Sequence, residues 1–127
     1  MSSLYVVGTP IGNLEDITLR AIRILTEVDL IVCEDKRITS RLLNKYNIKT
    51  SMTSYNNYNK LSKVPYILSE LEQKDIALVS DAGLPCINDP GQELVASAID
   101  LGHKIVPIPG VSSVTTAVSI SGMIFDQ

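Results

Sequence analysis

Four short segments of this 127-residue chain carry the residue types from which a binding or catalytic site could be built. Thr9-Pro10-Ile11-Gly12-Asn13, Asp81-Ala82-Gly83-Leu84-Pro85 and Pro109-Gly110-Val111-Ser112-Ser113 combine glycine with proline and small polar residues. Glycine lets backbone approach a ligand closely, and helix N-termini present free N–H groups to anions. The fourth segment, Glu34-Asp35-Lys36-Arg37, gathers two carboxylates and two cations. Such a cluster suits proton abstraction, charge stabilisation or phosphate contact. Other chemistries lack their tools. His103 is the single histidine, and Cys33 and Cys86 stand alone, so no Ser-His-Asp set, Cys-His pair or metal cluster can be assembled. No metal is expected. A reaction that runs by positioning a reactive cofactor needs fewer side chains.

These segments need elements to hold them. Each glycine loop follows an apolar run, at residues 4–7, 76–80 and 104–107, and Glu34 follows another at 29–33. A fifth, weaker run covers 50–53. The runs are continuous rather than alternating, as expected for strands covered on both faces. Helices are predicted over 14–26, 36–46, 58–73 (interrupted by Pro65), 92–101 and 112–122. Asn13 and Asp89 read as N-caps, the latter followed by Pro90 at the first helical position, and Gly102 as a C-terminal stop. Alternating strands and helices imply an α/β fold: an open, mostly parallel five-stranded sheet with helices on both faces. In such sheets ligands sit in the crevice beyond the carboxyl ends of the strands, where the three glycine loops converge.

Each candidate has a plainer role to set beside the chemical one. Strand-to-helix turns use glycine and proline anyway, although three such loops at one sheet edge favour a site. Asp81 either braces the turn at Gly83 or accepts hydrogen bonds from a ligand. Arg37, Arg41 and Lys45 recur every fourth residue and share a helix stripe. That stripe is either a solvated face or the best phosphate contact in the chain. Tyr55 and Tyr58 either pack over the sheet edge or stack on unpaired bases. Glu34 stands about 20 residues past Gly12, where a dinucleotide fold places its ribose-binding acid, but the glycine pattern of that fold is not present. His103 precedes the fifth strand, at the wrong end of the sheet for a general base.

Composition narrows the classes. The net charge of −3 leaves any nucleic-acid contact local. No apolar run is long enough to span a membrane, no secretory signal opens the chain, and two lone cysteines fit a reducing cytoplasm.

Taken together, Thr9-Pro10-Ile11-Gly12-Asn13-Leu14, Asp16-Ile17-Thr18, Glu34-Asp35, Arg37, Ser80-Asp81-Ala82-Gly83, Pro85, Ile87-Asn88-Asp89-Pro90-Gly91, Pro107, Pro109-Gly110 and Ser112 resemble, in order and spacing, the N-terminal domain of the tetrapyrrole methylase superfamily. Within it the chain looks most like the branch of small-subunit ribosomal RNA 2′-O-methyltransferases. The resemblance implies transfer of a methyl group from S-adenosylmethionine (SAM) to a cytidine ribose 2′-hydroxyl in small-subunit (16S) rRNA, within the 30S subunit. It also implies a homodimer and a second domain beyond the one spanned here. By resemblance, Pro10, Gly12, Asn13, Asp81, Ala82, Gly83, Pro85, Gly110, Ser112 and Ser113 border the SAM site. Glu34, Asp35 and Lys36 are candidates for activating the hydroxyl, and Arg37, Arg41, Lys45 and Tyr58 for holding RNA. The chain departs from the family pattern at Lys36 and Ile38, where members often carry Thr and His. It departs again at Asn56, Asn57, Tyr58 and Lys60, in place of a His/Glu-rich stretch. Other readings are a methylase of a tetrapyrrole or other small molecule, a non-catalytic RNA-binding module, and, least favoured, a dinucleotide-binding domain.

Overall fold

The computed structural model describes residues 2–83, 85, 91–111 and 122. Five strands, β1 (Ser3–Val7), β2 (Leu30–Cys33), β3 (Met52–Ser54), β4 (Ile76–Leu78) and β5 (Lys104–Ile108), form one sheet in the order β3-β2-β4-β1-β5. Every pairing is parallel. Helices α1 (Leu19–Glu27) and α2 (Lys36–Lys45) carry the chain from β1 to β2 to β3. Helices α3 (Lys60–Leu71) and α4 (Gly91–Asp100) carry it back past β4 to β5. The two pairs travel in opposite directions across the sheet. Right-handed crossovers therefore place them on opposite faces.

The two cores confirm this. Ala21, Ile24 and Leu25 of α1 and Leu42 and Leu43 of α2 pack on Val7, Ile31, Cys33, Ala77 and Ile108. Ile67 and Leu71 of α3 and Leu94 and Ala98 of α4 pack on Leu4, Leu30, Val32, Ile76 and Leu78. Successive side chains of each strand thus enter different cores, which is why the runs read as continuously apolar. Lys60 joins the second helix pair to itself, 2.8 Å from Glu93.

The elements depart from the sequence expectations in four places. The helix expected over 14–26 is divided. Asn13 caps a single 3-10 turn, Leu14–Asp16, and α1 begins only at Leu19, where the Thr18 hydroxyl accepts the Ala21 N–H. Two cap-type residues five positions apart explain the break, because each satisfies its own set of free N–H groups. The third strand lies at Met52–Ser54 rather than 50–53, with the Thr50 hydroxyl instead donating to the Leu25 carbonyl. The fourth stops at Leu78, short of residue 80. Helix α3 runs through Pro65 without interruption. The proline is exposed, so water can serve the Leu61 carbonyl that it leaves without a donor. The Asp89 cap, Pro90, Cys86 and the fifth helix lie outside the described residues.

At the N-terminal end of the sheet, acidic residues act as braces. Asp75 accepts the Ser3 N–H, and Asp29 accepts the Asp75 N–H. His103 lies there, just before β5 as its position in the sequence predicted, and it is buried. Gly102, at φ +83°, ends α4 and lets the His103 N–H reach the Ala98 carbonyl. Among the described residues neither imidazole nitrogen has a hydrogen-bond partner, and Nε2 is 3.6 Å from Glu72.

Because Pro65 costs α3 one backbone hydrogen bond, Pro65→Ala is expected to stabilise the fold by about 1 kcal/mol or more. The change is measured as the shift in urea midpoint at unchanged m-value.

Candidate functional site

Three of the four chemistry-bearing segments meet where β1, β4 and β5 end. β1 and β4 are parallel neighbours, but beyond them the chain reverses at Gly83, at φ +78°. There Thr9 and Gly83 form an antiparallel bridge, with N–H to carbonyl distances of 2.9 and 3.0 Å. The Ser80 hydroxyl donates to the Ala82 carbonyl at 3.0 Å and holds the reversal. The third loop seals the other side. A Cβ on Gly110 would stand 2.9 Å from the Gly8 Cα, so only glycine permits this approach. The space over Gly83 is bounded by Ile11 Cγ2 at 3.3 Å and the Val111 carbonyl at 3.7 Å. All three loops therefore touch.

Helix α2 closes the fourth side. Asp35 is its N-cap and accepts the Arg37 N–H at 2.9 Å. The same carboxylate grips the Arg37 guanidinium at 3.2 and 2.9 Å. Among the described residues Asp81 makes no bond within its own turn. Its Oδ1 accepts the Asp35 N–H at 3.1 Å, tying the second glycine loop to the start of α2. At the far end of α2 the Tyr46 hydroxyl donates to the Leu14 carbonyl at 2.6 Å, tying the first loop down as well.

Between these parts lies an open cleft of about 320 Å³, lined by Pro10, Gly12, Asn13, Leu14, Ile38, Arg41, Asp81 and Ala82. A smaller hollow beside it is lined also by Thr9, Thr39, Leu42 and Ser80. Pro10, Leu14 and Ile38 give the cleft an apolar wall, and Asp81, Asn13 and Arg41 give it an acceptor, an amide and a cation. A Cβ at Gly12 would meet nothing within 4 Å, so glycine is required there by its φ of +122°.

The expected residues are thus divided. Pro10, Gly12, Asn13, Asp81 and Ala82 line the cleft, whereas Gly83, Pro85 and Gly110 are not among its lining residues, and the first two are buried. Ser112 and Ser113 lie outside the described residues. Arg41 reaches the cleft, and Arg37 and Lys45 lie exposed on the same helix. Glu34 and Lys36 flank Asp35 at the end of β2. The Arg37 contacts hold the Asp35 carboxyl below the usual carboxylate range. Burial pushes the neighbouring Cys33 thiol up. Tyr55 is buried in the second core, whereas Tyr58 is fully exposed. The asparagines around it build its loop. Asn56 accepts the Tyr58 and Asn59 N–H groups, and Asn59 accepts that of Asn56. Sequence reasoning missed the parts played by Thr9, Leu14, Ile38 and Tyr46. Leu14 and Ile38 stood at positions of the family pattern but had no site role assigned to them, and nothing local announces the long-range bond of Tyr46.

The family model of the tetrapyrrole (corrin/porphyrin) methylases matches residues 3–127. The chain belongs to that family. It is 52% identical over 122 residues, 95% of its length, to the ribosomal RNA small subunit methyltransferase I of Halalkalibacterium halodurans, of which it covers 42%. It is 50% identical over 123 residues, 96% of its length, to the protein of the same name from Thermotoga maritima, of which it covers 55%. The chain spans about half the length of the curated relatives it matches. The fold is shared with uroporphyrin-III-C-methyltransferase from Thermus thermophilus, at TM-score 0.70 and 21% identity over all of this chain and 55% of that one. It is shared also with diphthine synthase, at TM-score 0.79 and 17% identity over 97% of this chain and 50% of that one.

Two outcomes test this geometry. Gly110→Ala forces its new methyl against Gly8 and is expected to cost about 1–3 kcal/mol in chemical denaturation. The Asp35 carboxyl is lowered in the folded state, so its contribution is present above the unfolded value and is lost as pH falls through the folded one. Asp35→Asn should therefore lower the urea midpoint at pH 7. The gap to the parent should close as the pH is taken below the carboxylate range.

Proposed function

We propose that this chain forms one wall of the SAM site of a methyltransferase acting on small-subunit rRNA. The observation that carries the reading is the convergence of three glycine loops and α2 on one cleft with an apolar wall, a carboxylate and a cation. The residues fit such a donor. Leu14, Ile38 and Pro10 offer a surface for an adenine ring, Asp81 complements an ammonium or sulfonium charge, and Arg41 complements a carboxylate. When bound, SAM supplies an electrophilic methyl group on sulfur. The close identity to relatives named as ribosomal RNA methyltransferases supports RNA as the acceptor.

The protein's part is alignment and charge management. A ribose hydroxyl is a weak acid, so it gains from a base and from a cation beside the developing oxyanion. Asp35 is poorly suited as the base, because its oxygens are occupied by the Arg37 N–H and guanidinium. Asp35 serves instead to set the start of α2. Glu34 takes the proton and Lys36 steadies the oxygen. Arg37 and Lys45 contact phosphates from the exposed side of α2, and Tyr58 offers its ring to an unpaired base. The cytidine 2′-hydroxyl is the acceptor this reading assigns. The second domain would complete the cleft and a homodimer the enzyme, in the cytoplasm.

The test uses the full-length protein. Calorimetric titration should show saturable binding of SAM and none of NAD, and labelled SAM should transfer its methyl group to unmodified 30S subunits. Transfer to a small molecule but not to rRNA would overturn the RNA assignment, and NAD binding without SAM binding would overturn the donor. Glu34→Gln should lower kcat roughly 100-fold or more with donor affinity unchanged. Lys45→Ala should raise KM for 30S subunits several-fold and steepen no donor isotherm.

A further inference from the structure

Asp81 sits at a junction that reaches beyond the donor site. Its side chain is half-buried on the cleft wall, yet its Oδ1 is committed to a main-chain N–H contributed from 46 residues away. That N–H belongs to Asp35, whose carboxylate in turn fixes the first turn of α2 and the Arg37 guanidinium. Asp81 is thus joined to Asp35 at 3.1 Å, and Asp35 to Arg37 of the exposed basic stripe by two contacts of 2.9 Å. Helix α2 also sends Ile38 and Arg41 into the cleft, so the element that bears the stripe is the one a cleft ligand touches.

We propose that Asp81 is a positioning residue that couples donor binding to RNA binding, through its hydrogen bond to the start of α2. The proposal rests on the methyltransferase reading given above. A donor held against Asp81 and Ala82 fixes the carboxylate, and the carboxylate fixes the Asp35 N–H. The first turn of α2 and Arg37 are then set in the orientation that meets RNA. The two ligands bind with positive coupling, and by linkage each tightens the other by the same factor.

The experiment measures RNA affinity with and without donor product, so that no turnover intervenes. The full-length protein is titrated with unmodified 30S subunits in the absence and in saturating presence of S-adenosylhomocysteine. The parent should bind 30S subunits fivefold or more tightly when the nucleoside is present. Asp81→Ala should abolish that factor even at nucleoside concentrations that saturate the variant. Asp81→Asn keeps an oxygen for the Asp35 N–H, and should keep the factor while losing donor affinity. A second pair works from the other end. Asp35→Ala retains the main-chain N–H and should retain part of the coupling, whereas Asp35→Pro has no N–H and should show none. Lys45→Ala should weaken RNA binding and leave the factor unchanged. The proposal is overturned if the parent binds both ligands independently, or if Asp81→Ala preserves the factor. A parent that binds neither the nucleoside nor 30S subunits would overturn the methyltransferase reading itself, and this inference with it.

Discussion

The arrangement depends on one pair of backbone hydrogen bonds, those between Thr9 and Gly83. Two parallel strands diverge into separate crossovers once they leave the sheet, and nothing in the ladder keeps their loops together. The reversal at Gly83 turns the second loop back so that it can pair with the first in the opposite sense. Asp81 and Ala82 line the cleft, and Gly83 at the reversal is buried. Without the reversal, Pro10 would have no fixed relation to Asp81. β4 is assigned to Leu78, and the Val79 N–H still donates to the Val32 carbonyl at 2.9 Å before Ser80 leads into the turn.

The packing of Gly8 against Gly110 adds the third loop to that pair. One contact is made of hydrogen bonds and the other of close approach, and they fail differently. The hydrogen bonds tolerate changes of side chain at Thr9, since both partners are main-chain groups, whereas Gly83 is held to glycine by its φ of +78°. The glycine contact tolerates none, since a single methyl group already overlaps backbone. Helix α2 completes the frame from outside the sheet, held at its start by Asp81 and at its end by Tyr46. A helix fastened at both ends moves as a unit with the loops that fasten it.

The sequence made the architecture legible because its signals are local and repeated. Residues 30–33 and 76–78 are apolar on both faces, and only a doubly covered parallel strand asks for that. Glycine loops after such strands point to the carboxyl end of the sheet, and the structure places them there in mutual contact. The expectations that shifted depended on competition between neighbouring signals. Asn13 and Thr18 both cap, so one helix became a turn and a helix. Pro65 ends helices in isolation, yet Ile67 and Leu71 are needed in the core and carry α3 through it. Side-chain partners were the least legible. Asp81 reads as a turn residue from its neighbours, and only the fold brings Asp35 to it. Tyr55 and Tyr58 look alike in sequence, three positions apart, but one is buried and the other fully exposed.

Pro107 lies in β5, opposite Val6, on a strand that among the described residues pairs with β1 alone. A proline has no N–H, so the outer margin of β5 cannot present an unbroken row of donors to another chain. A sheet of five parallel strands would otherwise offer a ready template for further strands, and such templates nucleate aggregates. The residue that the family pattern places just before the third glycine loop therefore guards the open side of the sheet. A protein whose cleft must stay accessible at one end keeps its sheet from growing at the side.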